Sequence, residues 1–255
     1  MILIQKDMVN DIPLLHVAKQ TELSSPLPTI IFIHGFTSAK EHNLHFAYLL
    51  AEKGYRVLLP DVSLHGERQE GLDDMVLSTR FWHMVIQTID ELQVLKDYYT
   101  DKGLVSDGRI GLAGSSMGGI ITLGALTQYD WVKTAVSLMG SPTYVGFAKA
   151  QLNQFKRNGL TLPMTDEEIE EQLSVLTSYD LSLNPEKVNR RPLLFWHGKQ
   201  DTVVPFEPTY AFFKTIYPSY KDNPDDLRFI SEEQAGHKVS RKALLETTKW
   251  FQRRL

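Results

Sequence analysis

The chain has 255 residues, 42% of them hydrophobic and 23% charged, a balance that supplies a sizeable core and excludes disorder and collagen-like structure. Its 27 Lys and Arg against 31 Asp and Glu leave a formal charge of −4, with no basic run long enough to follow a phosphate backbone, so nucleic acid is not an expected partner. Cysteine is absent, which removes disulfides, thiolate nucleophiles and Cys-ligated metal and leaves the chemistry to oxygen and nitrogen groups.

The segment from Met1 to Asp7 lacks the basic start and long apolar stretch of a secretory signal. No apolar run approaches the roughly 18 residues of a membrane span, so the expectation is a cytoplasmic protein with no membrane partner. Apolar stretches around residues 2–4 and 12–18 flank Val9-Asn10-Asp11 and read as an antiparallel hairpin. Ile30-Ile31-Phe32-Ile33 is the continuous apolar run of a strand buried on both faces, and it ends at His34-Gly35. Residues 44–53 carry Leu44, Ala47, Tyr48 and Ala51 at helical spacing, with Gly54 as a C-terminal cap, and feed a buried strand from Tyr55 to Leu59. A long amphipathic helix follows from Phe81 to Tyr99, with Trp82, Val85, Ile86, Ile89, Leu92 and Leu95 on one stripe.

The alternation repeats: strand Arg109 to Ala113, helix Met117 to Leu126, strand Val132 to Leu138, strand Leu193 to Trp196, helix Phe206 to Ile216, strand Leu227 to Ile230, helix Arg241 to Phe251. Buried strands alternating with helices mean an α/β fold, a mostly parallel eight-stranded sheet covered by helices on both faces and antiparallel at its start. Residues 141–191 interrupt the pattern, since a single helix could make that crossover. They contain a helix at about 147–157 and a second one opened by the capping box Thr165-Asp166-Glu167-Glu168. This insertion is either a decorated crossover or a small helical cap over the site, and the cap is favoured because crossovers leave the ligand-binding edge of a parallel sheet.

Gly114-Ser115-Ser116-Met117-Gly118 fits G-x-S-x-G between a strand and a helix, the turn that presents a serine nucleophile in strained geometry. Ser116 is the central residue; Ser115 would place Ala113 and Met117 where glycines are needed. A serine hydroxyl needs a general base oriented by an acid, and the chain order on such a sheet is Ser, acid, His. His237, in the loop after the strand at 227–230, is the single histidine beyond residue 201. Asp201 lies just past the C-terminal end of the strand at 193–196, whereas Asp222, Asp225 and Asp226 enter the next strand from its far end. The developing oxyanion needs preorganised donors, for which the backbone N–H groups of Met117 and Phe36 are the candidates, with His34 bracing the loop. His42 and His45 have a spacing that can hold a metal, but no carboxylate helix pairs with them and they read as solvated. The stretch from Asp61 to Arg68 follows a strand at the same edge and is a candidate for substrate contact.

In order and spacing, His-Gly-Phe-Thr at 34–37, Gly-Ser-Ser-Met-Gly-Gly at 114–119, His-Gly-Lys-Gln-Asp-Thr-Val-Val-Pro at 197–205 and Gly-His at 236–237 resemble the α/β-hydrolases. Within them the chain is similar to bacterial-type serine esterases related to dienelactone hydrolase and to the catalytic domain of prolyl oligopeptidase. The resemblance covers essentially the whole chain, with residues 141–191 least diagnostic. It implies one α/β-hydrolase domain over residues 1–255, with Ser116, Asp201 and His237 as triad and Phe36 and Met117 as oxyanion donors. It also implies a small-molecule ester as substrate, cleaved through an acyl-enzyme without cofactor or metal. Dienelactone hydrolases proper use a cysteine that this chain lacks, and these 255 residues do not include the propeller of the oligopeptidases. Peptide or thioester hydrolysis by the same triad, and an inactive binding module on this fold, are the alternatives. The small insertion offers limited bulk to enclose an acyl group, so short chains are expected, roofed by Phe147, Leu152, Phe155, Leu173 and Leu176 with Phe36 as a side wall.

Overall fold

The computed structural model describes residues 1–157, 159 and 165–255. Strands β1 (Ile2–Val9) and β2 (Ile12–Lys19) form the hairpin, in register from Ile2 opposite Lys19 to Val9 opposite Ile12. Their turn places Asn10 and Asp11 at φ of 44° and 64°, the left-handed pair that joins two twisted strands with two residues. Next come β3 (Leu27–Ile33), α1 (Leu44–Glu52), β4 (Arg56–Pro60), α2 (Asp74–Thr79), α3 (Phe81–Asp101), β5 (Val105–Ser115), α4 (Met117–Gln128) and β6 (Val132–Leu138). After them lie α5 (Tyr144–Arg157), α6 (Asp166–Thr177), β7 (Leu193–Gly198), α7 (Phe206–Ile216), β8 (Leu227–Glu232) and α8 (Arg241–Arg254).

The eight strands form one sheet in the order β1-β2-β4-β3-β5-β6-β7-β8, antiparallel through β1, β2 and β4 and parallel from β4 onward. Its central strands carry continuous apolar runs, such as Ile30-Ile31-Phe32-Ile33 in β3, because each face meets a helical layer. In β3, Ile30 and Phe32 pack with Phe46 and Leu50 of α1 and Trp250 and Phe251 of α8. Ile31 and Ile33 pack on the other face with Ile89 and Leu92 of α3 and Ile120 and Leu123 of α4. This is the expected α/β-hydrolase architecture, and it brings the C-terminal ends of β3, β5, β7 and β8 to one edge.

Within residues 141–191 the two expected helices are α5 and α6. Thr165 and Glu168 form the capping box in both directions, at 3.2 and 2.7 Å. Asn158, the next residue after the first of these helices in the sequence, lies outside the described residues. Tyr144, fully buried at the start of α5, donates from its hydroxyl to the Ile120 carbonyl (2.7 Å), and Trp82 Nε1 donates to Gln151 Oε1 (2.8 Å). The first bond anchors α5 to α4 and the second ties it to α3, and Phe147 and Gln151 of α5 line a cleft together with Ser116. The short α2 gives no periodic signal in sequence: its six residues leave Met75 and Val76 exposed and bury only Leu77.

Candidate active site

Ser116 stands between the last residue of β5 and the first of α4, at φ 55° and ψ −118°. A non-glycine residue holds such a conformation only when its surroundings over-determine it. Here the Ser116 N–H donates to the Leu138 carbonyl and its own carbonyl accepts from the Ile120 N–H, both at 2.9 Å. The flanking glycines let the turn close: a Cβ on Gly118 would lie 2.0 Å from the Ile33 carbonyl oxygen, and one on Gly114 would lie 2.3 Å from the Gly118 carbonyl. The residue types of the motif therefore follow from backbone contact between β3, β5 and α4.

Asp201 and His237 reach Ser116 from the turns after β7 and β8. Those turns are joined by main-chain bonds, Lys199 N–H to the Glu232 carbonyl (2.9 Å) and Gln200 N–H to the Ala235 carbonyl (3.0 Å). His237 Nδ1 lies 2.7 Å from Asp201 Oδ2, and Nε2 lies 2.8 Å from Ser116 Oγ. The carboxylate accepts the Nδ1 proton, which makes Nε2 the acceptor for the serine hydroxyl. Asp201 Oδ1 accepts from the N–H groups of Val203 and Val204, each at 2.9 Å. Burial would raise the Asp201 carboxyl, but the nearby His197 and His237 and the Val204 N–H hold it well below the usual carboxylate range. His197 Nε2 donates to the Val204 carbonyl at 2.9 Å and lies 3.4 Å from Asp201 Oδ2, a bracing position not singled out from the sequence.

The loop after β3 abuts the serine: a Cβ on Gly35 would stand 3.2 Å from the Ser115 carbonyl oxygen and 3.4 Å from Ser116 Cβ. Neither the Phe36 nor the Met117 N–H donates to an acceptor among the described residues. His34 is fully buried, lies with Nδ1 2.8 Å from the Gly35 carbonyl, and accepts the Val62 N–H at Nε2 (3.0 Å). His65, from the stretch read as a substrate contact, is buried and accepts the Thr37 N–H at Nε2, also at 3.0 Å. Asp61 and Lys40 are buried beneath this loop as an ion pair that Glu67 completes, and Arg68 pairs with Glu91 at 2.7 Å. The 61–68 stretch thus includes the braces of the 34–37 loop, which the sequence pattern did not disclose. His42 and His45 are exposed, and no group of three or more potential metal ligands occurs among the described residues.

A cleft of about 610 Å³ opens over Ser116, lined by Phe36, Phe81, Ile120, Phe147, Gln151 and Pro205 among others. Phe36 and Phe147 are where the sequence reading put them. Leu152, Phe155, Leu173 and Leu176 instead line a separate void between α2, α3, α5 and α6, because helical spacing identifies an apolar face without saying which neighbour it meets. Ser78 of α2 and the 202–205 turn, unassigned from the sequence, supply the remaining walls.

Residues 42–255 match the model of the prolyl oligopeptidase family. The chain is 50% identical over 252 residues, 99% of each protein, to the putative esterase YitV of Bacillus subtilis. It is 29% identical over 266 residues, the full length of both, to the esterase YjfP of Escherichia coli. Among solved structures it superposes on TT1662 of Thermus thermophilus with a TM-score of 0.76 at 21% identity, covering 99% of this chain and 98% of that one. The chain belongs to the prolyl oligopeptidase family, on the α/β-hydrolase fold.

Proposed function

From that membership we propose that the protein is a serine hydrolase that cleaves carboxylic esters of short acyl chains through an acyl-enzyme, with Ser116 as nucleophile. The observation that carries this reading is the continuous hydrogen-bonded line Ser116 Oγ, His237 Nε2, His237 Nδ1, Asp201 Oδ2, at 2.8 and 2.7 Å. Ser116 Oγ attacks the ester carbonyl as its proton passes to His237 Nε2. Asp201 keeps the imidazole in the accepting tautomer and stabilises its charged form. The carbonyl oxygen, now an anion, accepts from the N–H groups of Phe36 and Met117, the second of which is the first residue of α4 and benefits from the positive helix end. Collapse breaks the ester C–O bond, and the alcohol leaves with the proton from His237. Water then attacks the acyl carbon and gives a proton to His237, and the second collapse breaks the acyl–Oγ bond as His237 returns that proton to Ser116 Oγ and the acid leaves. In this account residues 1–255 act as one catalytic domain and residues 141–191 as its cap, with small-molecule esters as substrates.

The esterase names of the relatives at 50% and 29% identity support esters over peptides. The test is a panel of p-nitrophenyl acetate, an acetyl thioester and an aminoacyl anilide, assayed with the purified protein and with His237→Ala. Highest kcat/KM on the ester and its collapse in the variant support the reading. Preference for the anilide or thioester transfers the triad to the alternative chemistry, and no turnover of any of them indicates a binding module.

A further inference from the structure

The Ser116 cleft has a smaller neighbour. Between α2, α3, α5 and α6 lies a void of about 40 Å³ walled by Trp82, Ala148, Leu152, Phe155, Leu173 and Leu176. Cleft and void have Ser78 and Gln151 in common. On its far side the void meets, at Trp82, Gln172 and Leu176, an open groove of about 440 Å³ between α3 and α6. Gln151 and Ser78 therefore form the partition between cleft and void. Its amide is fixed, since Oε1 accepts the Trp82 indole N–H at 2.8 Å and that indole packs against Phe81, Tyr144 and Phe147.

The sheet order gives the cleft a direction. β7 and β8, which lead to Asp201 and His237, lie on one side of β5, while β3 and β4, which lead to Phe36 and to α2, lie on the other. The departing alcohol must receive its proton from His237, so it occupies the β7–β8 side. The acyl group then points away from His237, toward Phe81, Phe147 and Gln151.

We propose that Gln151, tied to Trp82, is the specificity-determining wall that ends the acyl site short of this void and holds the enzyme to short, straight acyl groups. This rests on the esterase reading above. A void of this size has room for a water or the tip of a chain. Pushing the amide aside would leave the Trp82 N–H without a partner in a largely apolar setting, a cost that a longer substrate must meet. Removing the amide joins cleft and void and so lengthens the site for an unbranched aliphatic chain.

The experiment measures kcat/KM on p-nitrophenyl esters from two to twelve carbons for the wild type, Gln151→Ala and Trp82→Phe. The wild type should peak at two to four carbons, and Gln151→Ala should raise the octanoate-to-acetate ratio about tenfold or more. Trp82→Phe, which keeps a ring and removes the donor, should move the ratio in the same direction by less. Adding Leu152→Phe to Gln151→Ala refills the void and should reverse the gain. An unchanged ratio in a Gln151→Ala protein that melts like the wild type, or a wild type that already prefers octanoate, overturns the proposal. Calorimetric titration of acetate, butyrate and octanoate into wild type and Gln151→Ala gives a readout independent of turnover. If no ester is hydrolysed the esterase reading fails, yet tighter octanoate binding by the variant still supports the wall, and equal binding refutes it. Should Gln151→Ala not fold, Trp82→Phe decides the matter by the same ratio and titrations.

Discussion

His34 and His65 brace two loops reciprocally. His34, in the loop after β3, accepts the Val62 N–H, and His65, in the loop after β4, accepts the Thr37 N–H, each through Nε2 at 3.0 Å. Each ring places Nδ1 against a carbonyl of its own loop, Gly35 at 2.8 Å and Ser63 at 2.9 Å. The donated Nδ1 proton keeps Nε2 free to accept, so both rings do this work only when neutral. Phe36, whose N–H is the proposed oxyanion donor, sits between the two braced residues Gly35 and Thr37.

Removing the His65 acceptor frees Thr37, which is held at φ 56°, and loosens the Phe36 N–H. His65→Ala should lower kcat on a short ester by roughly tenfold to a hundredfold, less than outright loss of an oxyanion donor, with KM little changed. His65→Gln, whose amide oxygen can reach the same N–H, should recover most of it. A loss confined to KM, or no rescue by Gln, would place His65 outside the support of the donor.

The same neutrality makes stability depend on pH. Burial lowers His34 to about 4, and burial together with the Arg56 charge lowers His16 to about 4, from 6.5. Between these values the unfolded chain binds protons that the folded chain does not, so stability rises with pH and is lost as pH falls from 6.5 toward 4. His34 alone accounts for on the order of 2 kcal/mol at pH 5. Urea midpoints should fall between pH 7 and pH 5, and His34→Asn should be less stable at pH 7 but flatter across that interval. An equally steep profile in the variant would contradict the assignment.

Lys40 and Asp61 form an ion pair with side chains only 1% and 0% exposed. Burial would lower the Lys40 ammonium, but its bonds to Asp61 and Glu67 hold it above the usual lysine range. Asp61 also accepts the N–H groups of Lys40 and Glu67, each at 3.0 Å, so it organises the loop that carries His65. Asp61→Ala should cost about 3–5 kcal/mol, because it takes from the buried Lys40 cation its buried partner, leaving only the partly exposed Glu67 and Glu41, and removes the acceptor of two backbone N–H groups. Lys40→Met with Asp61→Leu should recover part of that loss in denaturant unfolding. A double variant as unstable as Asp61→Ala would show that the bonds from Asp61 to the backbone, not the lost ion pair, dominate.

Much of this molecule was legible in its residues, for reasons that differ by element. β6 and α7 lie between the boundaries their apolar patterns predict, and β3 reads as buried because Ile30 to Ile33 alternate between two helical layers. The elbow was legible because Gly114 and Gly118 are demanded by backbone contacts. α2 was missed because six residues with exposed Met75 and Val76 carry no period. The roles of His65, Lys40 and Gln151 depend on which loop or helix each one faces, a tertiary relationship that no local spacing encodes. For the same reason Leu152, Phe155, Leu173 and Leu176 were rightly placed on apolar faces and wrongly assigned to the roof of the cleft.

The proposed acyl-enzyme mechanism turns on Ser116, and not the adjacent Ser115, as the nucleophile. The most direct measurement compares p-nitrophenyl acetate hydrolysis and fluorophosphonate labelling, with the modified peptide located by mass spectrometry, in the wild type, Ser116→Ala and Ser115→Ala. Label is expected on Ser116 alone, with a fall in kcat on the order of 10⁴-fold or more and loss of labelling in Ser116→Ala. Ser115→Ala should stay within a few-fold of the wild type. Label on another serine, or substantial turnover by a folded Ser116→Ala protein, would contradict that assignment.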